Sequence, residues 1–178
     1  MKALVIHESM FGNTAAMGEA IAASLRAHGL EVDAGPISRF EPARTAEADL
    51  LVVGGPTHAH GMTSKGTRKA AVEDKRYPSS EPNAGPGLRD WLTRLPSGSG
   101  RLAATFDTRF DKPRFLTGSA AKGIARRLEQ HGYRLIVQPE SFFVNGQHQL
   151  EAGQTDRATA WAATLAERAS AGAASAGA

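Results

Sequence analysis

Strand candidates alternate with helical patterns along most of this 178-residue chain. They fall at residues 2–7, 31–34, 49–53, 101–106 and within 134–144, where the last one is interrupted or kinked at Pro139. Continuous apolar runs, such as Leu50–Val53, are typical of strands that are covered on both faces in a parallel sheet. Parallel neighbours need crossover connections, which the intervening helices supply. The alternation therefore predicts an α/β fold with a doubly wound parallel sheet, in a single domain over residues 1–169.

Two predicted helices end in the same way. The triplets His28–Leu30 and His131–Tyr133 each place a glycine and then an apolar residue after a helical pattern, which is typical of a helix C-terminus. The second of these helices begins after Thr117 or Ser119, since either side chain can cap it. The repetition of this helix-ending pattern indicates that strand–helix units are stacked along the chain.

The last predicted helix covers about residues 155–169, and Trp161 lies on its apolar side. Trp91 has the same position on a short helix near residues 88–95, so we expect both tryptophans in the core. The final segment, Ser170–Ala178, contains only serine, alanine and glycine. We expect this tail to be disordered.

Composition restricts the chemistry of the chain. It has no cysteine, which excludes disulfides, thiolate metal sites and iron–sulfur clusters. Any redox activity must therefore use a bound cofactor. We predict no signal segment and no membrane helix, and we expect a cytoplasmic protein. The net charge is +3, but the cations are spread out and only 6% of residues are aromatic, so nucleic-acid binding is not predicted.

The first loop, residues 8–14, connects the first strand directly to a helix. Ser9, Asn13 and Thr14 offer side-chain donors there, and Gly12 lets the backbone approach a ligand closely. The free amides and the dipole of the following helix favour an anion at the same place. The sequence thus predicts a phosphate site. The alternative is that Asn13 or Thr14 only caps the helix while Ser9 fills a turn.

Two later loops also follow predicted strands. The second loop covers residues 54–62, and the third loop covers residues 106–110. In open α/β sheets, ligands bind outside the carboxyl ends of the strands. We therefore expect all three loops to meet in one crevice. His58 and His60 alternate with Ala59 in the second loop, so they are candidates for flanking a ligand or supplying a proton, or else they are solvated loop residues. No metal site is predicted, because further ligands are missing nearby.

Residues 2–169 resemble the flavodoxin-like family. The first loop of that family has the pattern Ser/Thr-x-x-Gly-Asn-Thr and holds the phosphate of FMN; Ser9, Gly12, Asn13 and Thr14 match it. The second loop is similar to the one that lies along the isoalloxazine ring, and the third occupies the place of the ring-flanking loop. The resemblance implies FMN as cofactor and a three-layer, five-stranded sheet in the order 2-1-3-4-5. It implies the following FMN-binding residues: Ser9, Met10, Phe11, Gly12, Asn13, Thr14, Pro56, Thr57, His58, Ala59, His60, Gly61, Met62, Phe106, Asp107, Thr108, Arg109 and Phe110.

The resemblance leaves some roles open. Asp107 would either accept a hydrogen bond from a ring nitrogen or cap a turn, and Arg109 would either lie near the ring edge or be a surface charge. Flavodoxins usually sandwich the ring between aromatic residues, whereas this chain offers His58, His60 and Phe110. The Gly-x-Pro-Thr pattern at residues 54–57, the pair Gly61-Met62 and the loop Ser9–Gly12 are also similar to the tryptophan-repressor-binding-protein branch, which reduces quinones with NAD(P)H.

We therefore expect an FMN-binding electron-transfer protein. One alternative is an NAD(P)H-dependent quinone or nitro reductase, and another is a ligand-sensing module of the same fold that carries out no chemistry. The expected partner is a redox protein or a small-molecule acceptor, and the chain is expected to be a monomer or a homodimer. Basic residues between Lys65 and Arg76, in an irregular insertion at 63–87, would dock an acidic redox partner or the phosphates of NAD(P)H, or simply be solvated.

Overall fold

The computed structural model describes residues 1–58, 61–73 and 87–176. The predictions for Ala59, for His60 and for most of the insertion at 63–87 lie outside these residues. The strands are β1 (Lys2–His7), β2 (Glu31–Pro36), β3 (Leu50–His58), β4 (Gly61–Met62), β5 (Leu102–Phe110), β6 (Arg134–Leu135) and β7 (Glu140–Val144). The helices are α1 (Asn13–Ala27), α2 (Lys65–Glu73), α3 (Leu88–Thr93), α4 (Arg114–Thr117), α5 (Ala120–Gln130) and α6 (Gln154–Ala176), and 3₁₀ turns cover Ile37–Arg39 and Pro42–Glu47.

The sheet has the strand order β2-β1-β3-β5-β6, and β7 also pairs with β5. All of these pairs are parallel, while the short β4 runs antiparallel to β3. The predicted doubly wound parallel sheet is confirmed. The predicted fifth strand is present as two pieces, β6 and β7, because the chain leaves the strand conformation between Leu135 and Glu140, where Pro139 lies.

Alternation along β1 divides the core into two halves, as the pleat of a strand requires. Ala3 and Val5 belong to a cluster that includes residues of α1 and α6, whereas Leu4 and Ile6 belong to a cluster with residues of α3 and α5. The structure therefore has three layers, as predicted. Trp91 is 1% exposed and donates from Nε1 to the carbonyl of Phe40 at 2.7 Å, so its predicted core position is confirmed.

The predicted helix boundaries are largely correct. Ser119 is the N-cap of α5 and accepts a hydrogen bond from the amide of Lys122. Gly29 and Gly132 have φ values of 83° and 81°, directly after the C-caps of α1 and α5. The repeated helix ends are thus confirmed.

Two predicted boundaries are wrong. Residues 106–110 are not a loop, because β7 pairs with them from Phe106–Glu140 to Phe110–Val144 and extends β5 to its last residue. Helix α6 continues to Ala176, so the predicted disorder from Ser170 is wrong as far as that residue. Residues 177–178 lie outside the described part. None of the described helices is both long enough and apolar enough to span a bilayer.

Candidate functional site

A pocket of about 270 Å³ lies at the carboxyl ends of β3 and β5, beside the first turn of α1. This volume is slightly below the range of about 300–1,000 Å³ that is typical of small-molecule sites. The lining residues that the sequence predicted are Phe11, Asn13, Pro56, Thr57, His58, Thr108, Arg109 and Phe110; Leu116, Thr117, Val144 and His148 also line it. Strand order reverses at β1, so the pocket is at the edge where ligands of such sheets bind.

The first loop leaves the start of α1 without a side-chain cap. Gly12 is the N-cap residue, with φ 85° in the left-handed region that glycine enters easily, and no side chain accepts a hydrogen bond there. The first bond of the helix runs from the amide of Ala16 to the carbonyl of Gly12 at 2.9 Å, so the preceding amides have no acceptor within the helix. Ser9 is 1% exposed, and its Oγ has no partner within the described residues. This arrangement suits an anion.

Asn13 and Thr14 make contacts that the sequence did not predict. The Asn13 Nδ2 donates to the carbonyl of His148 at 2.7 Å, so the amide joins the first loop to the turn after β7. The Thr14 and Thr108 hydroxyls lie 2.7 Å apart and share one hydrogen bond. Since each hydroxyl carries one hydrogen, the pair still has one for another acceptor. Thr14 thus remains a candidate donor to an anion, whereas the Asn13 side-chain amide already donates to a backbone carbonyl of the protein.

Four rings surround the pocket. The Phe11 ring centroid lies 4.7 Å from that of His148 and 6.2 Å from that of His58. Phe110 lies 5.4 Å from His148. Aromatic rings at such distances pack edge-on or offset rather than face to face, and they form flat walls for a planar ligand. The predicted meeting of His58 and Phe110 at one pocket is therefore observed, with Phe11 and His148 added.

Burial lowers the pKa of His58 from its ordinary value of 6.5, and the nearby His148 lowers it further. His58 therefore holds a neutral imidazole at neutral pH. Such a ring donates one hydrogen bond and accepts another, but it carries no extra proton. The buried environment of His58 therefore fits contact with a ligand better than the other predicted role, in which His58 supplies a proton.

The Asp107 side chain connects β5 to the start of α5 and to β3 by hydrogen bonds. Its Oδ2 accepts hydrogen bonds from Ser119 Oγ at 2.7 Å, the Ala121 amide at 2.9 Å and Thr57 Oγ1 at 3.0 Å. The carboxylate is fully buried and fixes the first turn of α5 against β3. Asp107 was predicted either to accept a hydrogen bond from a ring nitrogen or to cap a turn. Its hydrogen bonds to the start of α5 correspond to the second role.

Arg109 is 6% exposed and lines the pocket, so the alternative of a surface charge is wrong. Its Nη1 donates to the carbonyl of Lys112 at 2.6 Å and to Thr117 Oγ1 at 3.1 Å, which fixes the segment between β5 and α5. The guanidinium also lies 4.9 Å from the ring centre of Phe143. It thus places a positive charge at the pocket wall.

Other predicted residues lie away from the pocket. Phe106 is fully buried and packs against Phe142 and Trp161, so its side chain belongs to the core. Met10 and Met62 are 3% and 6% exposed and do not line the pocket. Gly61 pairs with His58 through β4.

The position of His148 at the pocket and the contacts of Glu8 do not follow from the sequence pattern. A strand followed by Asn145 and Gly146 does signal a turn, but it does not reveal that the turn returns to α1. Glu8 is 4% exposed and binds Thr63 Oγ1, the Leu88 amide and Arg68 at the end of β1. Among residues 1–58, 61–73 and 87–176, no three His, Asp or Glu side chains gather as a metal site would require.

No protein-family model matches the chain. No curated protein matches it either. Solved structures match nearly its whole length. Oxidised flavodoxin 2 from Bacillus cereus is 20% identical with a TM-score of 0.67, and the match covers 94% of this chain and 99% of that one. The flavodoxin of Streptococcus pneumoniae TIGR4 is 17% identical with a TM-score of 0.68, over 94% and 99% of the two chains.

A WrbA-like flavodoxin from Agrobacterium tumefaciens is 16% identical, with a TM-score of 0.57 and coverage of 94% and 96%. At these identities the likeness establishes the fold. The chain has the flavodoxin-like fold that the first loop predicted.

Proposed function

We propose that the chain binds FMN and serves as an electron-transfer protein. The first loop holds the phosphate, and the aromatic pocket holds the flavin ring. The fold supports this proposal, and so does the position of the two features at one edge of the sheet, within reach of a single ligand.

The observation that carries the proposal is the uncapped start of α1 beside a buried, unpartnered serine. An exposed helix start is usually satisfied by water or by a side-chain cap. Here Gly12 provides no cap, and Ser9 Oγ is 1% exposed without a partner within the described residues. A buried hydroxyl without a hydrogen bond is costly, so a ligand oxygen at this place would restore the lost bond. These residues fit a phosphate.

FMN, when bound, would supply the redox chemistry. The chain's own residues bind and orient it. Phe11, His58 and Phe110 form flat walls beside the ring, and Arg109 provides a fixed positive charge at the wall. Such a charge favours the more negative, reduced state of a ligand, so we expect it to raise the reduction potential.

Ser9→Ala tests the phosphate site. Loss of one hydrogen bond to a charged group should weaken FMN binding about 10- to 100-fold. Riboflavin lacks the phosphate, so its affinity should stay within about twofold of the wild-type value. Titrations followed by flavin fluorescence measure both affinities, and Ser170→Ala, on the exposed side of α6, is the control. If Ser9→Ala weakened the binding of FMN and riboflavin equally, the phosphate would not be bound by Ser9.

The mouth of the pocket favours a second candidate, an NAD(P)H-dependent quinone or nitro reductase. Phe115 and Leu116 are 82% and 55% exposed, and Phe110 is 39% exposed. Phe110 and Leu116 line the pocket, and Phe115 is the neighbour of Leu116 in α4. The exposed surfaces of Phe110 and Leu116 give a small planar acceptor an apolar approach to the pocket. The WrbA-like protein noted above is consistent with this candidate.

Steady-state kinetics distinguish the electron-transfer protein from the NAD(P)H-dependent reductase. A reductase loaded with FMN oxidises NAD(P)H continuously when a quinone is added, whereas an electron carrier needs a reductase partner. The acidic protein partner and the choice between monomer and homodimer remain proposals. A ligand-sensing module without flavin would show no binding at micromolar FMN, and that result would contradict both redox functions.

A further inference from the structure

The turn that follows β7, residues 145–149, is fixed by its own hydrogen bonds. The amide of His148 donates to the Asn145 carbonyl at 3.1 Å, and the amide of Asn145 donates to the Gln149 carbonyl at 2.8 Å. The Asn145 side chain accepts from the amides of Gln147 and Gln149 at 2.9 and 3.1 Å. The turn is therefore a defined structure, and it holds its residues in fixed positions.

His148 has a left-handed backbone, which is uncommon among residues that carry a Cβ. Its φ is 56°, in the left-handed region, which costs about 1–2 kcal/mol for a residue with a Cβ. Glycine or asparagine is the usual residue at such a position. The chain has a glycine two residues earlier, at Gly146, yet places an imidazole at the left-handed position. The position of this imidazole therefore has to be read from its contacts.

The imidazole of His148 is directed at the pocket. It lines the pocket and lies between two other wall rings, 4.7 Å from Phe11 and 5.4 Å from Phe110 between ring centroids. Its backbone is also connected to the first loop, since Asn13 Nδ2 donates to the His148 carbonyl at 2.7 Å. The turn is thus attached to the first residue of α1, where the phosphate site begins.

We propose that His148 contacts the ring of the bound ligand and that Asn13 positions it. The turn after β7 then contributes a wall of its own, in addition to those from the first loop, β3, β5 and α4. This inference rests on the proposed function, because it assigns the contact to the flavin ring. The wall would select planar ligands whose ring reaches the His148 imidazole beside Phe11 and Phe110.

Three substitutions at His148 distinguish a ring contact from a backbone role. His148→Phe keeps a ring but tolerates the left-handed backbone poorly. His148→Asn and His148→Gly remove the ring and suit that backbone well. If the ring matters, the Asn and Gly variants should bind both FMN and riboflavin about three- to tenfold more weakly, and the Phe variant should stay within about twofold of wild type. If only the turn matters, the order is reversed.

The role of Asn13 is tested by a double-variant cycle with riboflavin as ligand. Asn13→Ala should weaken riboflavin binding about threefold in the wild-type background, because the turn that carries the His148 ring loses its hydrogen bond to the start of α1. It should have no further effect in the His148→Gly background, where there is no ring to hold. Equal losses in both backgrounds would show that Asn13 acts independently. Circular dichroism confirms that each variant is folded.

The outcomes also separate this inference from the proposed function. Wild-type protein that binds neither FMN nor riboflavin overturns the proposed function and the role of His148 together. Wild-type protein that binds FMN, with the Asn and Gly variants equal to it, overturns the role of His148 alone.

Discussion

His7 combines burial with an unpaired ring nitrogen. It is 2% exposed, and its Nδ1 has no hydrogen-bond partner in the described part of the chain. Burial lowers its pKa from 6.5 to about 4. A Cβ on Gly18 would lie 2.8 Å from this nitrogen, so α1 packs directly on the imidazole. The folded protein therefore keeps His7 neutral in mildly acidic solution.

The stability of the protein should consequently fall in mild acid. The unfolded chain takes up a proton at His7 as the pH drops below 6.5, whereas the folded protein does so only near pH 4. The contribution of His7 is thus complete above pH 6.5 and is lost between pH 6.5 and 4, by about 3 kcal/mol in total. Between pH 7 and 5, urea denaturation should show about 2 kcal/mol more loss for wild type than for His7→Asn. Parallel pH profiles for the two proteins would contradict the lowered pKa.

At the level of residues, the sequence predicts the contacts that adjacent positions make. Ser9 and Gly12 follow directly from a strand that runs into a helix. The contact of Asn13 with His148 is different, because the two residues are 135 positions apart and meet only when the turn after β7 returns to α1. Asn13 and Thr14 were expected to face an anion, yet each makes a hydrogen bond to a distant part of the chain.

At the level of elements, the segment between β4 and α2 is held at two points. The Glu8 carboxylate accepts from Thr63 Oγ1 and lies 3.4 Å from Arg68 Nη1, with both side chains largely buried. Arg89 donates from Nε to the Thr63 carbonyl at 2.8 Å and from Nη2 to the Met62 carbonyl at 2.7 Å. These contacts hold β4 against the end of β1 and the start of α3.

Removing the Glu8 carboxylate should destabilise the protein strongly. Glu8→Ala leaves the buried guanidinium of Arg68 without this carboxylate, and breaking one side of a buried pair costs about 3–5 kcal/mol. Glu47→Ala removes the exposed pair with Lys2, so it should cost less than about 1 kcal/mol. Chemical denaturation measures both changes. Similar small effects from the two substitutions would show that the Glu8 pair contributes little. Partial recovery in Glu8→Ala with Arg68→Met would confirm that the broken pair between Glu8 and Arg68 is the cause.

Element boundaries depend on partners that a local pattern does not reveal. The polar residues Asp107–Arg109 suggest a loop, but β7 pairs with them and keeps them in the sheet. The Ser/Ala/Gly composition after residue 169 suggests disorder, but alanine has the highest helix propensity, and small residues allow close packing. Ala169 is fully buried, and a Cβ on Gly172 would lie 3.1 Å from Arg134 Nη2, so α6 packs closely past its predicted end.

At the level of the whole molecule, alternation of strands and helices was enough to predict the layers and the site edge. It was not enough to predict which groups satisfy the backbone hydrogen bonds at the sheet edge beyond β5. Helix α6 covers that edge with side chains: Gln154 accepts from the Phe143 amide at 3.0 Å, and Arg168 donates to the Ile136 carbonyl at 3.0 Å. Satisfied edge groups discourage pairing with another chain. This arrangement depends on a helix and strands that are separate in sequence.

The pocket draws its walls from α1, β3, β5, α4 and the turn after β7, so the lining residues extend from Phe11 to His148. A ligand that contacts all of these segments binds only when they are assembled, and it therefore stabilises the folded chain as a unit. FMN at about 100 times its Kd should stabilise it by about 2.7 kcal/mol, which corresponds to a rise in Tm of about 5–10 °C for a chain of this size. Thermal denaturation followed by circular dichroism measures the shift. Adenosine monophosphate, which carries a phosphate on a different ring, should give a smaller rise at the same concentration; equal rises would mean that the first loop binds anions without any contribution from the aromatic walls.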